Sequence, residues 1–279
     1  MLKTRILSFS VFIGIIVLYL PVLIWLVQEW LNNPFYGHGF IVPIVSAISF
    51  WMKRDNFKLE KPSLPGIIIC FAGLLIYVLS FSIWGIYFLS ALSLLIVIFG
   101  AIVYLVGMGR AREFLFPIGF LFFMIPMPIV NQLSYYMQNF TSYATVAVVR
   151  LFNVDITAVG NQISLSNSSF IIGPQCSGMN SIISLLTIAV FLAFMLMTCN
   201  AFWKKIILSL SALPLAVLSN IVRITILLII AENWGTEAAM SYFHNISSPL
   251  LFILSITLLF VLAKFLRFRF KTIMELSYG

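Results

Sequence analysis

The chain alternates between apolar runs of membrane-spanning length and short clusters of cations, a pattern that no water-soluble fold accommodates. Of its 279 residues, 62% are hydrophobic and only 9% charged. A surface solvated by water carries charge on about a quarter of its residues. This excludes a soluble globular enzyme, a disordered chain and a nucleic-acid-binding module. The net charge of +8 is held in clusters between the runs and not on one basic face. The sequence therefore predicts an all-α polytopic membrane protein.

Eight spans follow from the hydropathy, at Ile6 to Val27, Phe40 to Met52, Leu64 to Leu79, Phe88 to Leu105, Phe114 to Pro126, Asn180 to Met197, Ile206 to Ala231 and Ser248 to Ala263. The first has no small-residue cleavage site behind it, so it reads as a helix and not as a signal peptide. Cations cluster at Lys3 and Arg5; Lys53, Arg54, Lys58 and Lys61; Arg110 and Arg112; Lys204 and Lys205; and Lys264, Arg267, Arg269 and Lys271. With eight spans all fourteen fall on one side, which the positive-inside rule makes cytoplasmic. Both termini are then inside. Of the 16 cations only Arg150 and Arg223 lie elsewhere.

Between Ile129 and Phe152, apolar Leu133, Met137, Phe140, Ala144, Ala147 and Leu151 recur at helical spacing opposite Gln138, Asn139, Ser142, Thr145 and Arg150. That stripe predicts an amphipathic helix in the outer interface, or packed against the bundle. A ninth crossing would export the Lys204 and C-terminal clusters. From Asp155 to Ile172 the chain alternates in two pieces around Ser166 to Ser169, which predicts a small hairpin. The expected organisation is one integral-membrane domain over residues 1–279. In it, 129–176 form an extracytoplasmic cap and 176–263 the helices that carry any chemistry.

Cys70 and Cys199 read as small buried hydrophobes. Cys176 differs, because in Gly173-Pro174-Gln175-Cys176-Ser177-Gly178-Met179-Asn180 a loop enters the outer end of a span. Helix N-terminal N–H groups there favour a thiolate and offer donors to an oxyanion, so a lowered thiol pKa is expected. The motif alone admits both a reactive thiol and a structural thiol at a helix cap. Arg223 lies inside a span, where a cation costs roughly 2.5 to 3.5 kcal/mol and normally faces a partner or a cavity. It stands roughly 25 Å along the helix from Ile206 at about 1.5 Å per residue, the expected depth of Cys176. Asn220 shares its face. Snorkelling toward the headgroups is the alternative.

His244 precedes the last span at the same level, where an imidazole can take a thiol proton and later protonate a leaving amine. His38, between Gly37 and Gly39, reads first as a turn residue, second as a substrate contact, and also as a rival acid/base. Two histidines and one suitable cysteine make no metal site, and no motif points to a cofactor.

Cys176-Ser177-Gly178, then Asn220-x-x-Arg223-Ile224, then His244 resemble in order the motifs of the exosortase and archaeosortase membrane transpeptidases. His38-Gly39-Phe40, followed by Trp51 and Lys53, is similar to that family's N-terminal part. The resemblance runs from about Tyr36 to Phe252. It implies a sortase-like enzyme without the sortase fold, with Cys176 as nucleophile, Arg223 as oxyanion stabiliser and His244 as general acid/base. Asn220, Ser177 and His38 would be substrate-contacting residues. It also implies membrane-anchored exported proteins as partners, each with a C-terminal signal of short motif, transmembrane helix and basic tail, and the lipid bilayer as surroundings. Rival readings are a transporter or channel lined by Arg223, Asn220 and His244, and an intramembrane cysteine peptidase that only hydrolyses.

Overall fold

A computed structural model describes residues 2–165, 168–198, 201–242 and 247–270. The predicted all-α polytopic membrane fold is what it shows. The chain divides into two compact units, one within Met1–Met127 and one within Pro128–Thr272. Helices with large exposed apolar side chains run through both; Phe71, Ile68, Trp51, Leu213 and Ile253 are among them. A surface of that kind is stable only against lipid.

The first unit contains α1 (Leu2–Asn32), α2 (Ile41–Met52), α3 (Leu64–Tyr77), α4 (Tyr87–Ala111) and α5 (Leu115–Phe120). Gly14–Asn32, Leu64–Ile83 and Tyr87–Met124 are long and apolar enough to cross a membrane, and Gly37–Met52 is a shorter apolar helix. The Tyr87–Met124 stretch is two segments, because Gly107 (φ 76°, ψ 161°) interrupts the helical backbone. This division supplies two of the eight predicted spans.

Helices α3 and α4 pack closely because Gly66 lies on the backbone of Tyr104 and Gly100 on Cys70; a Cβ at Gly100 would come within 2.7 Å of the Cys70 nitrogen. Without water to drive apolar association, such small-residue contacts let helices approach and gain dispersion energy. Buried hydroxyls join α1 to α4, where Tyr19 Oη and Ser93 Oγ lie 2.8 Å apart.

The second unit contains α6 (Ile129–Arg150), a three-stranded antiparallel sheet of β1 (Ile156–Val159), β2 (Gln162–Leu165) and β3 (Ser169–Ile171), then α7 (Met179–Phe191), α8 (Phe202–Tyr242) and α9 (Ser248–Phe265). Strands β2 and β3 form the predicted hairpin, with Ile163 opposite Phe170. Strand β1 adds a third member, with Ile156 opposite Leu165. Ile156, Ile163, Leu165 and Ile172 pack on Val146 and Val149 of α6 and on Ile224 and Leu228 of α8. Arg150, unexplained by its sequence position, donates from Nε and Nη2 to the Ile156 carbonyl at 3.1 and 2.9 Å and ties the end of α6 to the sheet.

Met179–Leu196 and Phe202–Ser241 have spanning length, and Pro249–Phe265 is shorter. At the far end of this unit from Cys176, the strand pair Met197–Thr198 and Arg269–Phe270 joins the end of the α7 segment to the chain after α9. Lys204 Nζ donates to the Leu266 carbonyl at 3.1 Å. Two of the cation clusters thus share one level.

Helix α6 differs from the sequence reading in one respect. Its buried positions include Ser134, Gln138, Thr141, Ser142 and Thr145, whereas Leu133, Tyr136, Phe140, Tyr143 and Leu151 are exposed. The polar stripe faces protein and the apolar stripe faces outward, the reverse of a helix on an aqueous surface. Of the two expected placements, packing against the other helices is the one observed.

Gly66→Val and Gly100→Leu should each lower the Tm of the detergent-solubilised protein, since overpacking costs about 1–3 kcal/mol. Gly119→Ala, with no neighbour within 4 Å, should not. Equal Tm values for all three variants would contradict the close α3–α4 contact.

Candidate active site

Cys176 ends a single 3₁₀ turn, Pro174–Cys176, which Gly173 and Pro174 set up ahead of α7. Its N–H donates to the Gly173 carbonyl at 2.9 Å. Ser177, fully buried, donates from Oγ to the Pro174 carbonyl at 2.7 Å and accepts the Met179 N–H at 3.2 Å. Gly178 then turns the chain into α7 with φ 81°, a left-handed conformation that side chains disfavour. A Cβ on Gly178 would also lie 2.9 Å from Cγ and Nδ2 of Asn220.

Helix α8 delivers the second part of the site. Asn220, 4% exposed, donates from Nδ2 to the Cys176 carbonyl at 2.9 Å, and its Oδ1 has no hydrogen-bond partner among the described residues. One turn on, Arg223 Nη2 donates to the Gln175 carbonyl at 3.4 Å. Asn220, Arg223, Cys176 and Ser177 are therefore brought together, as their spacing predicted. Asn220 and Arg223 also line a small cleft between α7, α8 and α9, together with Ser181, Ser219, Leu251 and Ser255. The Ser219 and Ser255 hydroxyls meet at 2.5 Å inside it.

The electrostatics differ from expectation. Burial pushes the Cys176 thiol above its ordinary value, while the Arg223 charge and a backbone hydrogen bond at Gly173 pull it down without reversing the shift. A helix N-terminus does favour the thiolate. Here it lies three residues on, and desolvation dominates. Of the N–H groups near Ser177, that of Ser177 is used by the Pro174 carbonyl and that of Met179 by Ser177 Oγ. Arg223 is the cationic donor beside the thiol loop.

His38 is in the first unit, in the turn Gly37–Phe40, with Nε2 3.2 Å from the Phe123 carbonyl and its ring stacked on Tyr36. Trp30 Nε1 donates to the Met124 carbonyl, and Tyr36 Oη accepts the Met127 N–H. The three aromatic side chains hold the end of the 121–127 segment, so the turn role ranked first for His38 has a direct counterpart. His244 and Cys199 lie outside the described residues.

Residue spacing did not single out Ser134 and Thr141 of α6. Ser134 Oγ donates to Ser177 Oγ at 3.2 Å, and Thr141 Oγ1 to the Ser177 carbonyl at 3.4 Å. The signal was present as polar residues at i, i+4, i+7, i+8 and i+11 from Ser134. Periodicity shows this face without showing that it meets Ser177.

A family model described as transmembrane exosortase (Exosortase_EpsH) matches residues 30–261. The chain belongs to the transmembrane exosortase family. Membership makes it an integral membrane protein of a family of sorting-signal-processing transpeptidases, and the match covers the Cys176 loop, Asn220, Arg223 and His244. No curated protein and no solved structure matches the chain.

Alkylation of Cys176 by iodoacetamide, followed on its peptide by mass spectrometry, should be slow at neutral pH. It should rise to a plateau only above the ordinary thiol range, because the thiolate is the reactive form. Arg223→Gln removes the charge that favours the thiolate and should move the profile to still higher pH. A midpoint below that of a free thiol, or one indifferent to Arg223→Gln, would refute this account.

Proposed function

We propose that this exosortase-family protein is a cysteine transpeptidase. It would cleave a C-terminal sorting signal of short motif, transmembrane helix and basic tail from exported proteins, and transfer them through a thioester to another acceptor. The observation that carries the reading is the convergence of Asn220 and Arg223 on the carbonyls of Cys176 and Gln175. It ties an intramembrane cation and a buried amide to the loop of one thiol.

In this mechanism His244 takes the Cys176 proton, and Sγ attacks the scissile carbonyl carbon. The C=O electron pair moves to oxygen, where the Arg223 guanidinium stabilises the developing charge. Collapse restores the carbonyl and expels the amine of the membrane-anchored tail, which His244 protonates. The exported part is left as a thioester on Cys176 until an acceptor nucleophile displaces the thiol. Burial that raises the thiol's pKa keeps it protonated until His244 and Arg223 act together.

The same reading sets the protein in the prokaryotic cytoplasmic membrane with both termini cytoplasmic. Residues 129–176 are then an extracytoplasmic cap and 176–263 the catalytic helices. Support comes from the fourteen clustered cations. Support also comes from the length of α8, which carries Arg223 about 30 Å from Lys204 at 1.5 Å per residue. The cleft beside Arg223 is where a substrate helix arriving through the bilayer would meet the thiol loop.

Cys176→Ala should abolish tail removal from a co-expressed exported protein bearing the three-part signal, at unchanged enzyme level. Arg223→Ala should slow it by about 10²- to 10³-fold, the usual loss for an oxyanion donor. Mass spectrometry of the product separates transfer, which adds the acceptor's mass to the new C-terminus, from hydrolysis, which leaves a free carboxylate. Undiminished processing by Cys176→Ala would remove the mechanism.

A further inference from the structure

The inward polar stripe of α6 needs an explanation that packing does not give. Ser134, Gln138, Thr141, Ser142 and Thr145 are each between 0 and 8% exposed. They lie on a helix that could bury its own leucines and tyrosines instead. A hydroxyl or amide buried without a partner costs about 1–3 kcal/mol, so each such residue should be retained for a hydrogen bond it makes. The bonds made by this face converge.

Ser134 Oγ donates to Ser177 Oγ at 3.2 Å, and Gln138 Nε2 to Ser134 Oγ at 3.4 Å. Asn161 Nδ2, next to β2, reaches Gln138 Oε1 at 3.3 Å and the Ile172 carbonyl at 3.2 Å. Thr141, fully buried, stands at the centre: Oγ1 donates to the Ser177 carbonyl at 3.4 Å and accepts from Asn220 Nδ2 at 3.5 Å. The second Asn220 contact is the Cys176 carbonyl at 2.9 Å. The Thr141 contacts are long and individually weak, but a desolvated hydroxyl has no water to turn to. Thr145 Oγ1 has no partner among the described residues and takes no part in this set.

We propose that Thr141, supported by Ser134, is a positioning residue for the nucleophile. Its hydroxyl, set between the Ser177 carbonyl and the Asn220 amide, fixes the Cys176–Ser177–Gly178 turn that presents the thiol to Arg223. This rests on the reading of Cys176 as the nucleophile. It assigns α6 a catalytic duty that neither the family match nor the motifs around Cys176 and Arg223 describe. A turn containing a left-handed glycine is held only by what surrounds it, and misplacing a reacting atom by about 1 Å can cost about 10²-fold in rate. Thr141 touches no reacting atom, so its influence passes through Ser177 and Asn220.

Thr141→Val keeps the shape and removes the hydroxyl, and Thr141→Ser keeps the hydroxyl. In the full-length protein, Thr141→Val should lower kcat for tail removal by about tenfold with KM unchanged, the signature of lost transition-state geometry, while Thr141→Ser stays close to the parent. Iodoacetamide alkylation of Cys176 at neutral pH, which needs no substrate, should slow in Thr141→Val and not in Thr141→Ser. Parental behaviour of Thr141→Val in both assays would overturn the proposal. So would a Thr141→Ser variant as impaired as Thr141→Val, since volume and not the hydroxyl would then matter. Should Thr141→Val fail to accumulate, Ser134→Ala decides: the same two changes in weaker form support the proposal, and none overturns it. Cys176→Ala in parallel tests the functional reading by itself, because tail removal surviving that change would refute the nucleophile while the alkylation comparison still reports on positioning.

Discussion

The site depends on one hydrogen bond, from the amide of Asn220 to the carbonyl of Cys176. It joins the middle of α8 to a turn that has no regular structure of its own. Because the Asn220 amide is buried, the bond is costly to leave unmade. Gly178 accommodates it by having no side chain where the amide lies. Arg223, one helical turn further, follows from the same geometry: once Asn220 is fixed on the turn, the guanidinium must stand beside Gln175 and near the thiol.

The two halves of the site solve different problems. On one side of the turn, α7, α8 and α9 leave a small cleft beside the cation, lined by serines together with Leu185, Ala216, Leu251 and Phe252. On the other, α6 presses hydroxyls and an amide against Ser177. The sheet between α6 and α7 closes this side with an apolar layer on Val146, Val149, Ile224 and Leu228. A transpeptidase family of integral membrane proteins must gather polar groups within an apolar bundle. Here the polar groups are collected in one place and their hydrogen bonds directed at one loop.

Much of this was legible in the sequence because membranes impose simple rules. Apolar length marked the helices, and an asparagine three residues before an arginine within a span marked a shared face. Alternation over Asp155 to Ile172 marked a hairpin of two pieces. That the first piece turns at Gly160 into two strands, β1 and β2, escaped, because alternation does not show where one strand ends and the next begins. The outward apolar face of α6 escaped because periodicity reports that a helix has two faces without saying which solvent each meets. The sign of the Cys176 shift escaped for a related reason: the motif displays the helix terminus, whereas desolvation is set by α6, α8 and the sheet folding over it.

A helix that turns aromatic residues outward and hydroxyls inward has no stable alternative in water. If α6 left the helices it packs on, Ser134, Gln138 and Thr141 would lose the hydrogen bonds they make there, while Tyr136, Phe140 and Tyr143 are already turned outward. Those exposed aromatic side chains form a surface that an apolar environment is needed to cover. Whatever covers this outward face, lipid, detergent or another protein, then bears on how firmly α6 is held against Ser177.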